Sequence, residues 1–132
     1  MITINANSRK DFLVKYMKLH SLRESFTERE LQVAVEFLYF REKYLEDPIY
    51  NISIVEKEDG EQEEIKTSMD MLHQLIDTRT ISIIMDRLNM PMTVFRKHAA
   101  SLKSRGFFGK DDIGSKFKPP KVNTLTIKLV VK

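Results

Sequence analysis

The residues between positions 91 and 105 have side chains that suit nucleic-acid binding. Their hydroxyl-bearing and basic members include Thr93, Arg96, Lys97, Ser101 and Ser104, and no Asp or Glu lies among them. Arg and Lys bind phosphates or guanine, and Ser and Thr hydroxyls bond to bases of several kinds. Surface helices usually mix both charge signs, so the missing carboxylates favour polyanion binding over simple solvation.

A second basic group follows in residues 109–121. This stretch contains two Gly and two Pro, which predict a loop, and it carries Lys110, Lys116, Lys118 and Lys121. Beside a nucleic-acid-binding helix, these lysines would reach phosphates or the minor groove. The alternative is a loop whose charges serve only solubility.

Two helices joined by a tight turn would position the first group. Asn89 suits the left-handed backbone that ends a helix, and Pro91 suits the first turn of the next one. The second helix is predicted over residues 91–105, with Gly106 ending it. Apolar residues at helical spacing supply the inner faces: Ile81, Ile84, Met85 and Leu88, then Phe95, Ala99 and Leu102. Residues 80–105 therefore have the helix-turn-helix layout.

Apolar and alternating residues on both sides of the basic loop predict two strands after the second helix. Phe107 and Phe108 begin the first strand, and residues 122–131 alternate as the returning strand. Residues 106–132 would then be the wing of a winged helix, with the basic loop 109–121 at its tip.

The turn and the end of the second helix form a further pattern. Residues 88–91 are L-N-M-P, and residues 102–108 are L-K-S-R-G-F-F. This pattern resembles the winged helix-turn-helix of MarR-type regulators, in which an L-G-I/M-S turn precedes a recognition helix ending in L-x-x-x-G-apolar-apolar. The resemblance covers residues 80–131 and implies a winged-helix fold that binds double-stranded DNA. The chain departs from the family pattern at Met85, usually Ala, and at Asn89, usually Gly.

Residues 1–47 are predicted to be mainly helical. Ile2 and Ile4 alternate with polar residues as in a short strand. Ser8 suits the cap of a helix whose apolar face includes Phe12, Leu13, Tyr16, Met17 and Leu19. Thr27 and Glu30 have the spacing of a capping box, and the helix they begin runs to about residue 45. Its predicted inner side comprises Leu31, Ala34, Val35, Leu38 and Leu45.

Residues 48–66 are predicted to form an inserted β-hairpin. The dipeptide Asp59-Gly60 is a strong hairpin-turn signal between two candidate strands, and carboxylates surround it. Metal binding is the alternative role for these acids, but their spacing does not match an EF-hand loop. Thr67 and Asp70 then have the spacing of a capping box for the next helix.

Charge is unevenly distributed along the 132 residues. Residues 1–66 hold 10 Lys and Arg against 14 Asp and Glu, whereas residues 67–132 hold 12 against 5. The net charge of +3 therefore conceals a basic second half. Clustered positive charge is typical of a surface that binds a polyanion.

Several classes of protein are not indicated. The chain has no Cys, no apolar run long enough for a membrane helix and no signal-peptide pattern, so we expect a cytoplasmic protein. His20, His73 and His98 lack metal-ligand spacing. No nucleotide-binding or catalytic motif is present. We therefore expect no catalytic residues, no metal and no cofactor.

Together these patterns predict an α+β fold, a winged helix-turn-helix with an N-terminal helical extension and the inserted hairpin, as a single domain over residues 1–132. The predicted function is sequence-specific binding of double-stranded DNA by a transcriptional regulator. Met92, Thr93, Arg96 and Lys97 would contact bases or adjacent phosphates. Ser101, Ser104 and the lysines of the loop would hold the backbone. The alternatives are a protein–protein interaction module and a replication or packaging initiator, and the small size fits a phage or mobile-element protein.

The N-terminal helices carry more apolar surface than a minimal winged domain needs to cover. The residues concerned are Phe12, Tyr16, Phe37, Phe40 and Tyr44. Two arrangements are open, since these residues either cover the back of their own domain or join two copies. We favour the homodimer, because a two-fold pair presents two recognition helices to DNA.

Overall fold

The computed structural model describes residues 2–47, 50–122 and 124–127, with side chains described for 6–47, 53–65 and 69–122. This part of the chain is α+β, with five α-helices and two antiparallel strand pairs. In chain order the elements are β1 (Ile2–Asn5), α1 (Arg9–His20), α2 (Glu28–Glu46), β2 (Tyr50–Glu56), β3 (Gln62–Ser68), α3 (Met71–Leu75), α4 (Thr78–Leu88), α5 (Met92–Ser104), a short 3-10 helix (Ser115–Phe117) and β4 (Thr124–Ile127).

Helix α2 is the centre of the structure. Helices α1, α3, α4 and α5 all pack against it. A helix contacted from so many sides must be apolar around most of its circumference, and α2 buries Val33, Ala34, Phe37 and Leu38 on different faces. The predicted inner side is confirmed except at Leu45. That side chain lies in the last turn and is 49% exposed, because it lines an open cleft rather than the core.

Charged side chains of α2 connect it to its neighbours. Glu36 is buried and accepts hydrogen bonds from Lys10 of α1 at 2.6 Å and from Arg87 of α4 at 3.2 Å. Arg41 makes two bonds to Asp112, at 2.8 and 3.1 Å. A buried charge such as that of Glu36 is tolerated only when it is paired and hydrogen-bonded, so Glu36 fixes the positions of α1 and α4, and the part-buried Arg41 holds the segment that contains Asp112.

Helix capping follows the sequence signals at the first two helices. The Ser8 hydroxyl accepts from the backbone N–H of Asp11, and Thr27 and Glu30 form the complete capping box. The predicted capping box at Thr67 is wrong. Residues 67 and 68 extend β3, which pairs with β2 along its full length, and Asp70 caps α3 by accepting from the His73 N–H.

The inserted hairpin is confirmed. Strands β2 and β3 pair antiparallel with Tyr50 opposite Ser68 and Glu56 opposite Gln62. Gly60 has φ of 83°, a left-handed conformation that glycine adopts without strain and that closes the turn. Every described side chain from residue 53 to residue 65 is exposed, so the hairpin projects from the helical body.

The predicted wing is wrong in its strand pairing. Strand β4 pairs with β1, with Asn5 opposite Thr124 and Ile2 opposite Ile127, and not with Phe107 and Phe108. The remainder of the predicted returning strand, at positions 123 and 128–131, lies outside the described residues. Phe108 makes only an isolated bridge to Ile113.

Apolar anchors explain why the segment after α5 does not extend as a wing. Phe107, Ile113 and Phe117 are fully or almost fully buried, which folds residues 106–118 back onto the core. The fold-back depends on a close backbone approach at Gly114, where an added Cβ would lie 2.2 Å from the carbonyl oxygen of Gly106. Arg9 then donates to the carbonyl oxygens of Pro120 and Val122, which directs the chain toward β1.

The apolar residues that favoured a dimer are covered within the chain. Phe12, Tyr16, Phe37 and Phe40 are buried, and the partly buried Tyr44 is hydrogen-bonded to Thr80 of α4. The surplus apolar surface therefore belongs to the protein's own core. These residues no longer give a reason to expect a homodimer through α1 and α2.

Truncation of Phe95 tests how α5 is oriented. Phe95 is buried, with its ring centroid 6.0 Å from that of Phe37, so Phe95→Ala should lower the free energy of unfolding by about 3–5 kcal/mol. The matched control is Lys97→Ala on the exposed face of the same helix, which should change it by less than about 0.5 kcal/mol. Urea titration measures both, and equal effects would contradict this orientation.

Candidate nucleic-acid interface

The turn before α5 sets the direction of the helix. Asn89 has φ of 48° and ψ of 52°, the left-handed conformation that the sequence predicts there. Met90 is buried and its N–H bonds to the Met85 carbonyl, which anchors the turn. Pro91, in an extended conformation, precedes the first helical residue. The turn thus joins α4 to α5 through three residues with fixed backbone geometry.

Helix α5 has an apolar inner face and a basic outer face, as predicted. Phe95 and Leu102 are buried against the core. The outer face is exposed, and its residues are Thr93, Arg96, Lys97, Ala100, Lys103 and Ser104. Arg96, Lys97 and Lys103 form no ion pair with any residue that the structure describes. Their charges are therefore not neutralised by neighbouring carboxylates.

Two exposed apolar side chains lie in the first turn of α5. Met92 is 40% exposed, consistent with its predicted place at the surface, and Val94 is 38% exposed. Neither Val94 nor Lys103 was among the residues predicted from the sequence to contact DNA. Lys103 lies seven residues after Arg96, so two helical turns place both on one side, and this spacing could have identified it.

Ser101 is turned inward, and its predicted contact with a nucleic-acid backbone is not supported. Its hydroxyl donates to Glu30 at 2.6 Å, and Arg105 Nε lies 3.8 Å from the same carboxylate. Glu30 belongs to α2 and is buried, so it needs these partners. Ser101 therefore holds α5 on α2. Ser104 remains exposed, with its hydroxyl donating to the Ser101 carbonyl.

The environment of Glu30 lowers its pKa. Burial alone would raise the pKa of this carboxyl group, but hydrogen bonds from Ser101 and Thr27 and the positive charge of Arg105 outweigh the burial. The net result is a pKa below the ordinary value for Glu. Glu30 is thus an internal anion whose charge is compensated beneath the basic face of α5.

The four lysines of residues 109–121 are all exposed but differ in their surroundings. Lys116 forms an ion pair with Glu24, and Lys118 Nζ lies 3.3 Å from Asp112. Lys110 and Lys121 make no ion pair with the described residues. Only half of this predicted set is therefore uncompensated.

Two of these lysines lie beside residues of α1 and α2. Lys118 and Lys121 line a cleft of about 690 Å³ between α1 and the end of α2. Arg9 and Arg41 line the same cleft, but Glu42 and Asp112 neutralise them. The segment folds onto the core instead of projecting, so the prediction that these lysines lie on the tip of a wing is wrong.

Comparison with protein-family models, with curated proteins and with solved structures gave no match to this chain in any of the three cases. Within the described residues, no helix has the length and apolar character needed to cross a bilayer. The candidate interface is therefore argued from its own geometry and charge.

Acidification tests the role of Glu30. Its lowered pKa means that its contribution to stability is complete above about pH 5 and decreases as the pH falls through the folded-state pKa. Glu30→Gln should therefore destabilise the protein at pH 7 by about 1–3 kcal/mol, and the difference from the wild type should narrow in acid. Urea unfolding across this pH range measures the effect.

The matched control is Glu28→Gln, which makes the same charge change at an exposed position in the same helix. It should have little effect at any pH. A difference between Glu30→Gln and the wild type that stays constant down to the lowest pH would contradict the assigned interaction.

Proposed function

We propose that the chain is a helix-turn-helix protein of winged-helix type that binds double-stranded DNA sequence-specifically and regulates transcription. In this proposal α5 enters the major groove and α4 supports it. The main support is the outer face of α5, where three cations have no ion-pair partner among the described residues and no carboxylate is present.

The distribution of residue types along α5 suits groove binding. The N-terminal residues of a recognition helix lie deepest among the bases. Met92, Thr93, Arg96 and Lys97 occupy these first turns, where an Arg can bond two acceptors of guanine and apolar groups can contact the thymine methyl. Val94 adds a second exposed apolar group there.

Backbone contacts would come from the rest of the basic surface. Lys103 and Ser104 lie in the last turn of α5, and Lys110 follows in the next segment. All three are exposed, and neither lysine has an ion-pair partner among the described residues. Such contacts position a protein on the duplex without identifying bases. Lys116, Lys118 and Lys121 are weaker candidates for phosphate contacts. Lys116 and Lys118 are paired with carboxylates, and Lys118 and Lys121 line the cleft beside α1 and α2.

A replication or packaging initiator would use the same DNA-binding chemistry, so that alternative differs in biological context and not in the interface. A protein–protein interaction module is the second candidate function. The projecting hairpin favours it, because its described side chains are all exposed and exposed strands are suited to partner binding. DNA binding by α5 and partner binding by the hairpin are compatible, since they involve different elements.

Salt dependence of DNA affinity tests the assignment of α5. Each phosphate contact by Lys or Arg contributes a slope of about 0.9 to the fall of log K with log salt. Combined replacement of Arg96, Lys97 and Lys103 by Ala should therefore reduce the slope by about two to three units. Fluorescence anisotropy with a labelled duplex gives the slope for both proteins.

The matched control replaces three cations elsewhere, Lys18, Lys43 and Lys57, by Ala. This variant has the same net charge, so it separates contacts at α5 from a general loss of positive charge. Equal slopes for the two triple variants would remove α5 from the interface.

Selection from a random duplex pool tests sequence specificity. We expect a preferred site, at which Arg96→Ala should lose about 1–3 kcal/mol of discrimination at one base position. Lys110→Ala should instead weaken binding to preferred and random duplexes alike, because phosphate contacts carry no sequence information. If no preferred sequence is recovered, the proposed function as a sequence-specific regulator is contradicted, whereas non-specific DNA binding remains compatible with the result.

A further inference from the structure

Among the residues that the structure describes, the hairpin of β2 and β3 forms a sheet of two strands that no other element covers. Its described side chains are exposed on both faces, and no other strand in the described part of the chain pairs with it. Two-stranded hairpins are marginally stable in water and gain stability from a third strand or a packed face. The hairpin therefore lacks the support that such structures normally have.

One edge of this hairpin is unprotected. Residues 50–55 of β2 contain no charged residue, no Pro and no Gly, and three of the six are β-branched Ile or Val. Exposed sheet edges are usually protected by charges, Pro or bulges, because an unprotected edge pairs with other strands. Strand β3 has this protection, since it carries Glu63, Glu64 and Lys66.

The hydrogen bonds of the turn identify which backbone groups point outward. The Lys57 N–H donates to the Glu61 carbonyl at 2.8 Å. Bonded and non-bonded pairs alternate along an antiparallel ladder, so Val55 and Ser53 direct their backbone groups toward β3. Ile54 and Glu56 therefore direct theirs away from β3, along the free edge. The Ile54 side chain at the middle of this edge is 69% exposed.

The acidic residues of the hairpin determine how a second strand could approach. Six carboxylates lie in residues 56–64, against the single Lys57. Parallel approach of two such hairpins would bring the two acidic tips together. Antiparallel approach separates the tips by about the length of β2, roughly 20 Å at about 3.3 Å per residue. That distance exceeds the screening length of about 8 Å at physiological salt.

We propose that β2 is a homodimerisation strand, through which two copies of this chain join by antiparallel β2–β2 pairing into a four-stranded sheet. The arrangement is two-fold and self-complementary, because each edge offers the same backbone donors and acceptors to the other. With the two strands overlapping fully, Ile52 lies opposite Ile54 of the second copy and Ser53 lies opposite Ser53 of the second copy. Residues 50–55 of this edge carry no charge with which to recognise a charged partner, which favours a second copy as the occupant.

This interface differs from a dimer through α1 and α2, whose apolar residues are buried. It also does not depend on DNA binding by α5, so each proposal can fail without the other. Because backbone pairing and apolar contact form the interface, its strength should change little with salt.

Proline substitution at two paired positions tests the proposal. Ile54 and Glu64 lie opposite each other in the hairpin, and both direct their N–H away from the hairpin's own ladder. Because neither N–H takes part in the hydrogen bonds between β2 and β3, Pro at either position should leave those bonds intact. Ile54→Pro removes a donor from the proposed interface, whereas Glu64→Pro removes one from the opposite edge and is the matched control.

Sedimentation equilibrium of the full chain over a range of micromolar concentrations gives the result. We expect the wild type and Glu64→Pro to approach twice the 15.5 kDa mass of one chain, and Ile54→Pro to stay near 15.5 kDa. In the wild type, the amides of Ile54 and Glu56 should exchange with deuterium as slowly as those of Ser53 and Val55. A monomeric wild type, a dimeric Ile54→Pro variant, or loss of the dimer in both proline variants would overturn the proposal.

Discussion

The burial of α2 is the constraint on which the rest of the structure depends. A helix surrounded by four others would ordinarily be apolar throughout, yet α2 carries Glu30 and Glu36 at buried positions. An isolated buried carboxylate is costly, so each must find its partners at one defined place. Glu36 accepts bonds from α1 and α4 together, and Glu30 accepts from α5. The apolar faces bring the helices together, and the carboxylates define how each is oriented.

The same constraint leaves the outer surface of α5 basic. Glu30 is the carboxylate directly beneath this helix, and its charge is compensated by Ser101, Thr27 and Arg105 on the inner side. Other acids of the N-terminal half are also paired internally, including Glu24, Glu36 and Glu42. Six more lie in the hairpin, which projects from the body. Among the described residues, the acids of the first half of the chain therefore do not compensate the charge of the cations on the outer face of α5.

Local signals in the sequence predicted local structure well. The capping box of Thr27 and Glu30, the left-handed Asn89 and the turn at Gly60 each depend on a few adjacent residues, and all three are present. The capping prediction at Thr67 was wrong because two signals competed there, and the pairing of β3 with β2 left Asp70 as the cap.

Contacts between distant residues could not be predicted in this way. The alternation in residues 122–131 indicated a strand but could not identify its partner, which is β1 at the other end of the chain. Ser101 was predicted to contact a nucleic-acid backbone, yet it bonds to Glu30, which is 71 residues earlier. The pairing of Lys116 with Glu24 is similarly remote. The position of α5 in the sequence was therefore predictable. Which of the predicted side chains are already bonded within the chain was not.

The bonds made by Arg9 have a consequence for the order in which the chain folds. Direct pairing of Asn5 with Thr124 in an unfolded chain would close a loop of roughly 120 residues. The entropic cost of that closure is about 4 kcal/mol, apart from a constant, and two short strands offer few bonds to offset it. Arg9, four residues after β1, holds the carbonyls of Pro120 and Val122, just before β4. Once the helices have packed and this contact has formed, only a few residues on each side remain to be ordered. The β1–β4 pair is therefore a late product of helix packing.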